Sequence, residues 1–382
     1  MGDLEQVGRA AARDAGGIDA QLLGGFLPAV VAATAAGRRL RRPELAACVA
    51  AGRRAATQGI AMRALVDLYL SAGWRLWRDV PEVSRGDAGQ VRAAALSMLR
   101  AADDGVAALV EGYQLALADL GRLRESTKRE VLESLLAGGP QAVDAAGPAA
   151  DLGLVLSGPV SVLVVRAHFT DPAAAGLPLR VERALQGRYG DAQPLVDLHD
   201  GDLVCVFAAP DADAVDLVSR AVGSVLDGHY SGGGWRGAVS TPRTGAAAVR
   251  ASHDEARYAL EIADRLGLVH PVVDAGELAV YRVLLRDRPA VHDLIRGTLA
   301  PLLDARGGPG QLLETLDAYY QSGCVATEAA ARLHLSVRAV TYRLARVTHL
   351  IGRDPTDPAN RFTVQAAVTA AKLLNWPEVP LD

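Results

Sequence analysis

Six arginines, Arg332, Arg338, Arg343, Arg346, Arg353 and Arg361, gather near the C-terminus with few acids between them. Guanidinium groups suit two kinds of acceptor, phosphate oxygens and the O6/N7 edge of guanine, because each offers paired acceptors to a planar fork. From Val337 onward the spacing is helical. Val337, Val340, Leu344, Val347 and Ile351 fall on one stripe at about 100° per residue, which puts Arg338, Tyr342, Arg346 and His349 on the opposite face. Ser336 is a good N-cap for this helix and Gly352 a good stop. Arg338 lies in the first turn, where a recognition helix reaches base edges. Arg343 and Arg346 are placed for phosphates, which set affinity rather than sequence preference. A solvated basic face on an ordinary helix fits the same spacing, and pattern alone leaves both readings open.

The elements that must position this helix are legible just before it. Leu312, Leu313, Leu316, Tyr319 and Tyr320 make a helical face that ends at Gly323. Thr327 is the expected cap of the next helix, with Glu328 in its first turn. Ala329, Ala330 and Leu333 follow, small enough to let a second helix approach. His334-Leu335-Ser336 is a short turn. Gly307-Gly308-Pro309-Gly310 marks the front boundary of the module and Pro377 closes it.

Other chemistry is thin. No Gly-rich loop ends in Lys-Ser/Thr, and no His pair has zinc spacing, so neither a metal nor a cofactor is expected. The three cysteines, Cys48, Cys205 and Cys324, are too scattered for a disulfide framework, which suits a reducing cytoplasm. No leader opens the chain, and the longest apolar stretch, Phe26–Ala36, is too short to span a bilayer. Tyr69, Trp74 and Trp77 are unusual in a chain only 4% aromatic. They could line a pocket for a small-molecule effector, or they could be core and interface packing.

The chain of 382 residues is long enough for two or three domains. Residues 1–17 are small or polar and read as a disordered tail. Residues 18–140 read as all helix, a sensor or dimerisation domain. Within it Leu99, Ala102, Val106, Leu109, Tyr113, Ala116, Leu120 and Leu123 alternate steps of three and four, a heptad seam. Residues 150–275 alternate strands and helices. Val160–Ala167 reads as a buried strand, and His199-Asp200-Gly201-Asp202 as the turn of a hairpin. Gly232-Gly233-Gly234 reads as a mobile break. The pattern predicts an α+β sheet with helices on one face. Residues 276–310 read as linker helices and 311–376 as the helix-turn-helix module.

The last segment resembles the C-terminal helix-turn-helix of the PucR/CdaR family of bacterial regulators. The resemblance rests on Leu312-Leu313-Glu314-Thr315-Leu316, Ala330, Leu333, Tyr342-Arg343-Leu344, Gly352-Arg353-Asp354-Pro355, Asp357-Pro358 and Arg361. It implies DNA contact by Thr327, Arg338, Thr341, Tyr342, Arg343 and Arg346, with Ser336 at the head of the recognition helix. The family commonly opens that helix with His-Arg-Asn-Thr, where this chain has Ser336-Val337-Arg338-Ala339, so its base-reading end differs. The middle segment resembles the degenerate GGDEF-like domain of the same family, on Leu203–Phe207, Gly237-Ala238-Val239-Ser240, Glu255-Ala256-Arg257 and Ala259-Leu260. A cyclase needs paired carboxylates at the hairpin for Mg²⁺, and here Gly201 falls where one acid would be. The N-terminal segment resembles an RsbR-type domain, on Gly52–Ala56, Gly59, Arg63–Leu70 and Trp74–Trp77, which implies a globin-like fold without haem.

The expected fold is therefore mainly α with a central α+β domain: an N-terminal globin-like helical bundle, a GGDEF-like α+β sandwich and a C-terminal helix-turn-helix. The expected function is a non-enzymatic, signal-responsive transcriptional regulator that binds a double-stranded DNA operator as a homodimer, away from membranes. A protein-interaction module of a stress-signalling complex, and a nucleotide cyclase, are the rival readings.

Overall fold

The computed structural model describes residues 4–381 apart from 79, 81–82, 84–85, 168–173, 175, 189–191, 231–233 and 269. The chain divides into two compact units, Met1–Thr127 and Lys128–Asp382. The fold is mainly helical, with an α+β middle and a helical C-terminus. Among the described residues no helix is long and apolar enough to cross a membrane. The expected break at Gly232-Gly233 lies outside the described residues.

The first unit is a helical bundle: α1 (Leu4–Asp14), α2 (Phe26–Ala35), α3 (Arg42–Thr57), α4 (Met62–Trp77) and the N-terminal part of α5 (Ala88–Ala137). Its core gathers Phe26, Leu65, Leu68, Tyr69, Leu76 and Leu109. The expected disordered tail is instead α1, with Val7 and Ala11 buried against that core. Its buried face is mostly Ala and Gly, which gives a hydropathy pattern too shallow to separate from a tail. Two glycines set how closely α3 and α5 cross. A side chain at Gly52 would overlap the Leu109 carbonyl, and one at Gly112 would overlap that of Val49. The expected heptad seam divides in two. Leu109 and Ala116 are buried, while Leu99, Leu120 and Leu123 are exposed.

The second unit is organised round a sheet of β1 (Pro159–Ala167), β2 (Leu195–His199), β3 (Asp202–Ala208), β4 (Trp235–Val239), β5 (Arg243–Thr244) and β6 (Val272–Asp274). The order is β2-β3-β1-β4-β6, with β5 pairing β1. The β2–β3 hairpin forms as read. His199 pairs Asp202, and Asp200 and Gly201 take the positive φ that a two-residue turn requires.

Side chains alternate across the sheet, as strand geometry demands. Val162, Val164, Val204, Val206 and Ala238 point to one face, beneath α10 (Val249–Leu266), the end of α5 and the short α6 (Gly139–Asp144) and α7 (Ala146–Asp151). Leu163, Val165, Cys205, Phe207 and Trp235 point to the other, beneath α8 (Leu177–Leu185) and α9 (Ala212–Asp227). Helices thus cover both faces, not one as expected. The reason is visible in β1 and β3, whose near-continuous apolar runs are those of strands buried on two sides. The core under α10 also takes in Val131 through Ala149, so a boundary at 140–150 would cut through it.

After the sheet come α11 (Ala279–Leu284), α12 (Arg288–Leu299), α13 (Gly310–Gln321), α14 (Ala326–Arg332), α15 (Val337–Ile351) and α16 (Pro358–Leu373). The last four carry the candidate site.

Candidate nucleic-acid interface

The site is held by a core of Leu312, Leu316 and Tyr320 from α13, Ala329 and Ala330 from α14, Val340, Leu344 and Val347 from α15, and Val364 and Val368 from α16. Ala329 and Ala330 are fully covered, which lets α14 lie close to its neighbours. The turn between α14 and α15 is set by His334, whose positive φ ends α14 while the Leu335 amide returns to the Ala330 carbonyl at 2.9 Å. Ser336 then caps α15, its hydroxyl accepting from the Ala339 amide at 3.2 Å. Gly352, in the left-handed conformation, ends that helix by returning its amide to Thr348. Thr327 does not cap α14 as expected. Val325 occupies the N-cap position without a side-chain bond, and Thr327 lies exposed within the first turn.

On α15 the buried stripe is Val340, Leu344 and Val347. The face turned to solvent is Arg338, Thr341, Tyr342, Ala345 and His349, with Tyr342 68% exposed. A large aromatic so exposed, beside an arginine in the first turn, has no role in packing. Arg338 has no hydrogen bond or ion pair among the described residues. The Thr341 hydroxyl is turned back to the Val337 carbonyl at 3.0 Å. From Ala329 to Arg353 the chain holds five arginines and no carboxylate, so this stretch is locally basic although the whole chain carries −4.

Arg343 and Arg346 sit differently from Arg338. Arg343 is half-buried and donates to the Thr315 hydroxyl and the Gln311 side-chain oxygen, both at 3.2 Å. Arg346 is half-buried and donates to the Arg306 carbonyl at 2.9 Å. Both brace α15 against the chain before it, a use that spacing along α15 alone does not reveal. Ala345 and His349 complete the exposed face and were absent from the expected contacts. Stepping about 100° per residue from Arg338 places both within a narrow arc beside it.

The other candidate sites do not assemble. The three N-terminal aromatics point apart. Tyr69 is core, its ring against Phe26 and its hydroxyl on the Leu22 carbonyl at 3.0 Å. Trp74 is 49% exposed and stacks under Arg75 and Arg78. Trp77 packs partly buried at the margin of the core. Among the described residues Tyr69 and Trp74 do not converge on one pocket, because positions 69 and 74 face opposite sides of α4. At the hairpin, both Asp202 oxygens accept from Arg166 at 3.2 Å, while Asp200 extends into solvent. The carboxylate that a metal would need is committed to an ion pair. Among the described residues no group of three or more His, Cys, Asp or Glu is arranged to hold a metal.

Residues 312–370 match the family model described as the PucR C-terminal helix-turn-helix domain. This segment is similar to PucR-type helix-turn-helix domains. Ahead of the PucR-type module, residues 137–262 match the GGDEF-like domain model. Residues 5–128 match the N-terminal domain of the RsbT co-antagonist protein rsbRD, a span that includes α1. The chain is 32% identical to uncharacterized proteins of Mycobacterium bovis and Mycobacterium tuberculosis over 182 residues, 46% of this chain and 36% of theirs. It is 32% identical to the purine catabolism regulatory protein of Bacillus subtilis over 95 residues, 24% of this chain and 18% of that one. The matches therefore span about a third or less of these relatives. A regulator of polyketide synthase expression from Bifidobacterium adolescentis aligns with 65% of this chain and 94% of its own, at 19% identity and a TM-score of 0.33.

Proposed function

We propose that this chain is a transcriptional regulator that binds a specific double-stranded DNA site through α15, as a homodimer. One observation carries the reading: a capped helix of a PucR-type module presents Arg338, Tyr342 and His349 to solvent from a stretch without carboxylates. Arg338 reads a base edge in the major groove. Thr341, Tyr342 and His349 contact the backbone beside it, and Thr327 and Ser336 offer hydroxyls and amides to phosphates at the starts of α14 and α15. Arg343 and Arg346 hold the helix at its angle, and this positioning is their main part in binding. Two copies on a two-fold operator double the sequence read. The protein catalyses nothing in this reading, works in the cytoplasm, and takes its signal through the N-terminal or GGDEF-like segment, with a small molecule as one form of that signal.

The test is binding of the full chain to DNA upstream of its own and neighbouring genes across a salt series. Arg338→Ala is expected to relax specificity by about 1–3 kcal/mol at one base position. Binding with no sequence preference above the non-specific background would refute the proposal. The match of residues 5–128 to the co-antagonist domain favours a second reading, a protein-interaction module. Partner capture that ignored Arg338, together with absent DNA preference, would select it.

A further inference from the structure

α15 opens with two residues of different chemistry. Val337 is its first residue and Arg338 its second, directly after the Ser336 cap. The helical period puts Val337 in one apolar stripe with Val340, Leu344 and Val347. Those three are buried, but Val337 is 43% exposed and takes no part in the core of the module. Helix formation does not call for valine at this position. The first turn favours proline or an acid, and a β-branched side chain loses rotamer freedom there. Further along the same flank, two hydroxyl protons are already committed. The Thr341 hydroxyl donates to the Val337 carbonyl at 3.0 Å, and the Thr348 hydroxyl to the Leu344 carbonyl at 3.1 Å. The flank that Val337 heads is therefore short of free donors, whereas the flank of Arg338, Tyr342 and His349 is polar.

We propose that Val337 is a specificity-determining residue that selects a thymine, in the base pair next to the guanine read by Arg338. The inference rests on the reading of α15 as a recognition helix and adds a base to it. In the major groove every base edge shows hydrogen-bonding atoms, but only thymine adds an apolar group, its C5-methyl. An apolar side chain set against any other edge strips water from a donor or acceptor without replacing the bond. Residues in the first turn of a recognition helix are the ones that reach base edges, and Val337 and Arg338 both lie there. Their α-carbons are about 3.8 Å apart, close to the roughly 3.4 Å between base pairs, so the two side chains reach adjacent pairs. The guanidinium takes the O6/N7 edge of guanine, and the valine methyls take the thymine methyl beside it. Together they specify a unit of two base pairs, one G·C and one A·T, with the thymine methyl turned toward α15.

Competition binding of the full chain to its best upstream site tests this, with each thymine replaced in turn by deoxyuridine. That change removes the methyl and leaves the base-pairing edge intact. Wild type is measured beside Val337→Ser and Arg338→Ala. Wild type is expected to bind about fourfold more weakly when one particular thymine of a half-site loses its methyl, the effect of uncovering one such group. That thymine is expected to adjoin the guanine at which Arg338→Ala no longer discriminates. Val337→Ser is expected to bind the thymine and uridine sites alike and to unfold at the wild-type temperature. Equal wild-type affinity for thymine and uridine at every position beside that guanine overturns the proposal without recourse to a variant. A Val337→Ser protein that keeps the wild-type loss on uridine also overturns it, since the methyl then meets another residue. A wild type that binds all sequences alike overturns the DNA-reading role itself, and is told apart because changes at the guanine are then silent as well.

Discussion

At the scale of single residues, the difference between Arg338 and Arg343 decides how the site works. Both are arginines on one helix, five residues apart, but one faces water and the other is tied to Thr315 and Gln311. Arg343→Ala is expected to lower the module's stability by about 1 kcal/mol, since its bonds are charge-assisted but half-exposed. It should weaken binding evenly across DNA sequences, which thermal unfolding and competition binding together would show. Arg338 was legible because its exposure follows from the helical period alone. The tethers of Arg343 and Arg346 were not, because Gln311, Thr315 and Arg306 lie 32, 28 and 40 residues away in sequence. A second residue-scale consequence concerns His253, buried in the GGDEF-like domain. Burial holds its pKa below the ordinary value near 6.5; Arg257 and His199 add to this, and Asp254 opposes it. The unfolded chain therefore takes up the proton first. Stability is full above about pH 6.5 and falls as the pH drops from there toward the lowered native value. Unfolding midpoints measured across that range should decline in the wild type and flatten in His253→Gln.

At the scale of elements, periodicity revealed the hairpin, β1 and the order of the C-terminal helices, because each carries its own contrast of apolar and polar positions. Cover on both sheet faces was less legible. A strand buried on both sides reads as a plain apolar run, and nothing local says that α8 and α9 lie opposite α10. The close crossing of α3 and α5 was equally silent, since a glycine inside a helix looks like a weak point until its neighbour is known. Gly112→Ala sets two effects against each other. Helix propensity favours Ala by about 1 kcal/mol. The added methyl would overlap the Val49 backbone, and overpacking of this kind costs about 1–3 kcal/mol. The clash is with backbone and should win, so chemical denaturation is expected to show a net loss. Gly121→Ala on the same helix meets nothing within 4 Å and should stabilise instead.

At the scale of the whole molecule, the GGDEF-like domain and the helix-turn-helix share one compact unit, and two cations join them. Arg265 near the end of α10 donates to the Leu373 carbonyl at the end of α16. Lys372, one of only two lysines in the chain, donates to the Leu266 carbonyl at 3.3 Å and to Asp317 at 2.8 Å. Each helix thus places a cation on the other's C-terminal carbonyls, where the helix dipole favours positive charge. Arg265→Ala/Lys372→Ala is expected to split one calorimetric unfolding transition into two; a single unchanged transition would show that the contact carries no coupling. All of it serves the claim that α15 reads DNA. The most direct measurement is competition binding of the full chain to its best upstream site, wild type against Arg338→Ala, with every base pair of that site varied. The account predicts that wild type discriminates strongly at one or two positions per half-site and that Arg338→Ala loses that discrimination by about 1–3 kcal/mol while still binding DNA. An identical preference profile in the two proteins would contradict it.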